Sequence, residues 1–217
     1  MMMKNFKNFV FQKTGLFSIV LLLIVVICIS FVRTKEEEIY YKSYDRSKIA
    51  VEGSSTIGNW SVTALNFACN GYFSLEKDEL QELSQLSFVL PVNELKGENP
   101  LMNEAMDELF RYNGVTQISF KQSNAMVLSV MKMTNVIGEL QIGGKSNRVA
   151  LQLHHVVNKD QSLTFRGTHY IKLSDYQFKM PETILGAIKN NDEIKIDLEI
   201  TLSNEQIAVV KSQDLSR

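Results

Sequence analysis

The sequence holds only two cysteines, and they lie far apart: Cys28 in an apolar N-terminal segment and Cys69 alone in the body. That excludes a disulfide framework and a cysteine-built metal site, and leaves Cys69 to be read as a small buried hydrophobe. Proline is scarce, at three residues, and glycine ordinary, at 11, which excludes collagen-like and Pro/Gly-rich disordered compositions. Charge of neither sign is in excess: 23 basic and 24 acidic side chains leave a formal net charge of −1. A nucleic-acid partner would need a basic face, and this balance offers none. The sequence has no Gly-rich phosphate loop and no G-x-S-x-G elbow. The three histidines are His154, His155 and His169. A zinc site needs three or four convergent ligands, and neighbouring strand residues point to opposite faces, so His154 and His155 do not share one metal. No metal and no cofactor is expected, and the histidines read as rim or surface residues. No carboxylate pair stands out on one face; Glu36 to Glu38 reads as a solvated charge run.

What is present is apolar: 45% of the residues are hydrophobic, enough for a sizeable core in one domain. Lys4, Lys7 and Lys13 precede an uncharged run from Thr14 to Val32. Basic first and apolar next is the order of a secretory signal or signal anchor, and the lysines keep that end in the cytoplasm. The run is near the lower limit for spanning a bilayer. Cleavage after Ser30 would place small residues at Cys28 and Ser30, whereas lipid modification of Cys28 is disfavoured by the bulky Ile27. Residues 1–33 therefore read as a signal anchor or signal peptide, anchoring through residues 15–32 or released after cleavage. Residues 34–47 read as a charged linker, and residues 48–217 as an exported domain on the periplasmic side of a membrane. Asn59-Trp60-Ser61 fits a glycosylation sequon, with an unfavourable Trp at its centre.

From Ile49 onward the dominant period is two. Ile118 and Phe120, Leu140 and Ile142, Val149 to Leu153, Leu163 and Phe165, Ile171 and Leu173, and Ile194 to Leu202 alternate with polar residues. Such alternation puts one face of each strand in an apolar interior. Gly143-Gly144, Asn158 to Asp160 and Asn190 to Asp192 are turn signals between the runs. Many short alternating strands predict an antiparallel sandwich or barrel. The best helix candidate opens at Asn99-Pro100, an N-cap followed by proline at the first helical position. It carries the apolar stripe Leu101, Ala105, Met106, Leu109 and Phe110 and closes at Asn113-Gly114. Weaker candidates are Asp78 to Ser84 and a short helix from Pro181. Trp60, the single tryptophan, and the methionines Met102, Met106, Met126, Met131, Met133 and Met180 suit either a greasy pocket or ordinary core filling.

Several segments, in order, resemble the YceI-like family. Ser54 to Trp60 resembles its opening Ser-Thr-x-x-x-Trp signature, in the form of membrane-associated bacterial members. Leu90-Pro91-Val92 with Leu95-Lys96 resembles the strand leading to its "LKS" turn, and Met102-Asn103 with Met106 and Leu109 the helix that follows. Gly138 to Ser146 resembles its "G-x-L-x-I-x-G-x-T" hairpin. Leu173 to Tyr176, with Pro181, Gly186, Ile188 and Asp192, resembles its C-terminal block. The resemblance spans roughly residues 48 to 202. The sequence departs from the pattern at Gly58, where many relatives have His, at Ser146, where they have Thr, and at Gly97, where they have Ser. The first departure removes a polar group suited to a ligand head.

The resemblance implies an all-β, lipocalin-like antiparallel barrel of eight strands with one or two short helices. It also implies a long apolar cavity for a polyisoprenoid or other lipid, and no catalysis. Eight strands leave an interior just wide enough for side chains or one small ligand. The expected cavity residues are Val51, Trp60, Phe88, Leu90, Ile118, Phe120, Leu140, Ile142, Leu151, Leu153, Phe165, Ile171, Leu173, Ile196 and Leu198. Met102, Met106, Leu109 and Phe110 are expected on a helix at the entrance. The same residues equally fit a dry core, because pocket lining and core filling share one period. The expected partners are a lipid or isoprenoid-type molecule and the membrane through the N-terminal segment, with a homodimer left open. Two rival readings are an interaction scaffold with a filled barrel, and an enzyme working through His154 or His169, for which no base–nucleophile pair is visible.

Overall fold

The computed structural model describes residues 37–44, 46–56, 58–179 and 191–204. The apolar N-terminal run and the short helix expected after Pro181 lie outside these residues. Among the described residues, no helix is long and apolar enough to cross a membrane.

The strands are β1 (Ile39–Ser43), β2 (Lys48–Ser55), β3 (Gly58–Ala64), β4 (Ala68–Glu76), β5 (Glu79–Pro91), β6 (Gln117–Leu128), β7 (Met133–Ile142), β8 (Lys145–Val157), β9 (Leu163–Lys172) and β10 (Glu193–Ser203). One helix, α1 (Pro100–Tyr112), connects β5 to β6. All pairings are antiparallel. The ring β1-β4-β5-β6-β7-β8-β9-β10 closes on itself through Lys42↔Ser203 and Ser43↔Leu202. The result is a closed eight-stranded barrel, with β3 as an edge strand that makes a single bridge, Thr63↔Lys96, on its outer side. β1 and β2 both run along β10, and β4 and β3 run opposite them, so β2–β3 prolong the β1–β4 hairpin beyond the ring.

The first strand comes from the stretch read as a charged linker. Tyr41 is 1% exposed and stacks edge-on against Phe73. Glu37 and Lys42 are exposed and Glu38 accepts from Ser84 Oγ at 3.2 Å, and that run of charge masked a short alternating strand. Asp78 to Ser84 is likewise a strand and not a helix. β5 carries two irregularities, opposite Asn70/Tyr72 and Ser74/Leu75, with Gln85 at φ 54. Each inserts one residue, so the buried positions become Leu80, Leu83 and Leu86. A bulged strand thereby acquires the three-residue spacing of a helix.

α1 forms as its ends predict. The Asn99 side chain accepts from the Leu101 amide at 2.9 Å, and Pro100 occupies the first turn. Asn103 pins the helix to the preceding loop, accepting from Gly97 N at 2.7 Å and donating to its carbonyl at 3.2 Å. At the other end Asn113 accepts from Lys179 N at 2.7 Å and donates to Lys179 O at 2.8 Å. The helix is thus tied to both segments that flank one mouth of the barrel.

The two barrel ends differ. Lys77–Asp78, the Ser129–Lys132 turn and the Asn158–Ser162 turn gather at one end, where Tyr41, Phe73, Leu80, Leu163 and Leu202 are almost fully buried. This end is packed solid. The other end carries the β2–β3 turn, α1, the Gly143-Gly144 turn and the Leu173–Lys179 segment. Gly143 adopts φ +61, a conformation that favours glycine.

Candidate ligand cavity

A cavity of about 640 Å³ occupies the end covered by α1. Its walls come from β2 and β3 (Val51, Trp60, Val62), from β6 and β7 (Ile118, Leu140, Ile142), and from β9, β10 and the turn between them (Ile171, Leu173, Ile194, Ile196). Leu95 and the helix residues Leu101, Met102, Ala105, Met106, Leu109 and Phe110 roof it, and Phe178 packs edge-on against Phe110. The volume lies within the range of about 300–1,000 Å³ common for small-molecule sites.

Each strand lines the cavity with alternate residues, as the period of two requires. Phe120 lies one inward position beyond the wall residue Ile118 on β6 and packs in the core. Its ring lies over Gly138, where an added Cβ would stand 2.4 Å from the ring, and its strand partner Leu140 is already a wall residue. Trp60 lies over Gly53, its partner across β2 and β3, where an added Cβ would come within 2.1 Å of the indole. Two glycines therefore receive rings, one of the core and one of the cavity wall.

Of the residues expected in the cavity, Val51, Trp60, Ile118, Leu140, Ile142, Ile171, Leu173 and Ile196 line it, as do Met102, Met106, Leu109 and Phe110 on the helix. Phe88, Leu90, Phe120, Leu151, Leu153, Phe165 and Leu198 do not; they belong to the packed core or lie against it. They face inward as their period predicts, but at another level or against close neighbours: Leu153, for example, fills the space in front of Gly167. The apolar wall residues not expected there are Leu95 and Phe178, which lie outside the strands, with Val62 and Ile194. The last two sit in alternating runs, and parity alone would have found them.

The histidines separate. His154 is exposed on the outer face. His155 is not the surface residue expected: it is 3% exposed, and its Nδ1 lies 2.8 Å from Thr134 Oγ1. Burial lowers its pKa, as do, to a smaller extent, the charges of Lys132 and His154. Burial also lowers that of His169. Both imidazoles take up a proton less readily in the fold than in the unfolded chain, where they do so near pH 6.5. Their contribution to stability is complete above that value and is lost as pH falls below it towards the depressed folded values. The melting temperature is therefore expected to fall between pH 7 and pH 5, and His155→Gln to flatten part of that fall; an unchanged slope in the variant would assign the drop to other groups. Burial pushes the Cys69 thiol up to about 12, which leaves it uncharged and unreactive in the fold.

The comparisons with known proteins agree with this architecture. Residues 43–202 match the YceI-like domain. The chain belongs to the YceI-like domain family. No curated protein matches the sequence. Among solved structures, the YceI-like barrel resembles BcnA of Burkholderia cenocepacia, with a TM-score of 0.59 at 18% identity, covering 72% of this chain and 96% of that one. It also resembles a polyisoprenoid binding domain of Saccharophagus degradans implicated in plant cell wall breakdown, with a TM-score of 0.60 at 12% identity, covering 77% and 99%. At these identities the likeness establishes the shared barrel.

Proposed function

We propose that this YceI-like barrel binds a hydrophobic molecule of the lipid or isoprenoid type in the cavity beneath α1, and acts as a carrier or receptor rather than as an enzyme. The observation that carries this reading is the cavity itself, large and walled almost wholly by aliphatic and aromatic side chains. Burying an apolar chain there recovers roughly 25 cal/mol for each Å² removed from water. The Saccharophagus degradans neighbour, described as polyisoprenoid-binding, supports the same ligand type.

In this reading the chain is exported, and residues 15–32 either anchor it or are removed. Recovery of the full chain in a membrane fraction, and its digestion by protease added outside the inner membrane, would support export; protection from that protease would sink it.

The direct test is organic extraction and mass spectrometry of the purified full chain beside an unrelated exported protein. A lipid enriched near one per chain supports the carrier reading. Its absence, even after incubation with membrane lipids, favours a scaffold with a ligand-free barrel. Leu109 offers a second test, because it faces the cavity from α1 while remaining half-buried. Leu109→Asp is expected to lower lipid uptake at least tenfold while costing about 1–2 kcal/mol of stability. Uptake and melting temperature falling in proportion would make the helix merely structural.

A further inference from the structure

We infer that the ligand is a neutral amphiphile, an apolar chain ending in a hydroxyl, carbonyl or similar uncharged head, and not a phosphorylated or carboxylated lipid. This rests on the proposed hydrophobic binding and concerns the chemistry of the head. Among the described residues, no charged side chain lines the cavity. Its polar side chains are Ser55, Asn59 and Asn99, all at the mouth. Ser55 Oγ donates to Gly58 O at 2.9 Å and keeps its lone pairs, and the Asn99 oxygen is taken by the helix, which leaves its amide NH2 as a donor. Hydroxyl and amide groups at a rim satisfy an uncharged donor or acceptor. They do not neutralise a diphosphate.

The charges just outside the mouth weigh the same way. Beside Asn59 and Trp60, a shallow outer pocket carries Glu52, Glu193 and Lys195. Lys195 is already held by Asp197 at 2.7 Å and by Glu52 at 3.4 Å. Along the helix and at its two ends, Glu98, Glu104, Asp107 and Glu108 outnumber the bases Lys96, Arg111 and Lys179, and Lys96 lies 3.7 Å from Asp107. An anionic head drawn into the cavity would lose water without gaining a cation among the side chains that line it. A head without charge does not meet that cost.

Trp60 supplies the test, because the sequence's only tryptophan stands in the cavity wall. The full chain in lipid nanodiscs would be titrated with farnesol and with farnesyl diphosphate, which share one chain and differ in the head, with empty nanodiscs as the partitioning blank. Trp60 emission is expected to respond to farnesol at a concentration at least about tenfold lower, a difference of about 1.4 kcal/mol. A diphosphate that binds as tightly or more tightly overturns the neutral head and leaves hydrophobic binding standing. If neither compound binds, both readings fall. Asn59→Lys, which adds a cation at the rim, is expected to shift the ratio of the two affinities towards the diphosphate by about tenfold. An unmoved ratio would mean that the head does not lie at this rim, and would equally overturn the inference.

Discussion

Phe120→Ala is expected to remove about 3–5 kcal/mol of stability and, at the same time, to lengthen the chain that the barrel accepts. Phe120 is 5% exposed, faces Phe88 and Leu140 across its two neighbouring strands, and rests its ring over Gly138. Ile118, before it on the same strand, is a wall of the cavity, so Phe120 stands one inward position further along. Removing the ring costs its burial and the surrounding contacts, which relax only in part. The space left behind joins the existing cavity and points towards Val136 and the filled end. Urea unfolding measures the first effect, and a series of prenols of rising length, followed through Trp60, measures the second. A stability loss under about 1 kcal/mol would mean that the ring is not packed as described. A large loss with an unchanged length limit would place the floor elsewhere.

Gly53→Val acts on the wall. The added Cβ would stand 2.1 Å from the Trp60 indole, so the ring must leave its place over β2. Gly53 lies within a paired strand and not in a left-handed turn, so the substitution adds bulk without backbone strain. The expected cost is about 1–3 kcal/mol, the range of overpacking. The displaced indole should emit at longer wavelength as it meets water, and ligand uptake should fall by at least tenfold as the wall deforms. An unchanged emission spectrum would show that the ring keeps its seat. Phe120→Ala and Gly53→Val thus move in opposite directions, one enlarging the cavity and the other collapsing it.

The packed half of the barrel explains why the cavity is short. At that end aromatic rings fill the interior: Tyr41 packs on Phe73, Phe73 on Phe165, and Phe165 beside His155. Inside, Thr134 pairs with His155 at 2.8 Å, while Thr164 and Thr201 pair at 3.0 Å on the opposite face of their strands, beside Asn158. The splayed meeting of β8 and β9, paired only from His154↔Arg166 to Val157↔Leu163 among the described residues, belongs to the open end. There Asn147 donates to Asp175 O at 2.9 Å and holds the turn after β9 against β8. A barrel can widen at one end in this way because the twist of its strands lets neighbours separate once pairing stops.

Much of this was written in one dimension. The alternation in β6 to β10 determined the strands and the inward face of each, because side chains on a strand alternate regardless of what surrounds them. Asn99-Pro100 and Asn113-Gly114 determined the helix, because caps act through their own backbone. Charge and bulges hid two strands: β1 under its glutamates and lysines, β5 under a false spacing of three. The buried His155 was hidden for another reason, since its neighbour His154 is exposed and only the strand face separates them. What the tertiary structure alone decided is depth. Ile118 lines a cavity and Phe120 packs in the core beyond it, although both obey the same period on the same strand. The difference arises from the surroundings, Ile142 opposite the first and Gly138 beneath the ring of the second, and from where α1 crosses the mouth. Distances between residues far apart in the chain are set by packing, and no local pattern of hydrophobicity encodes them.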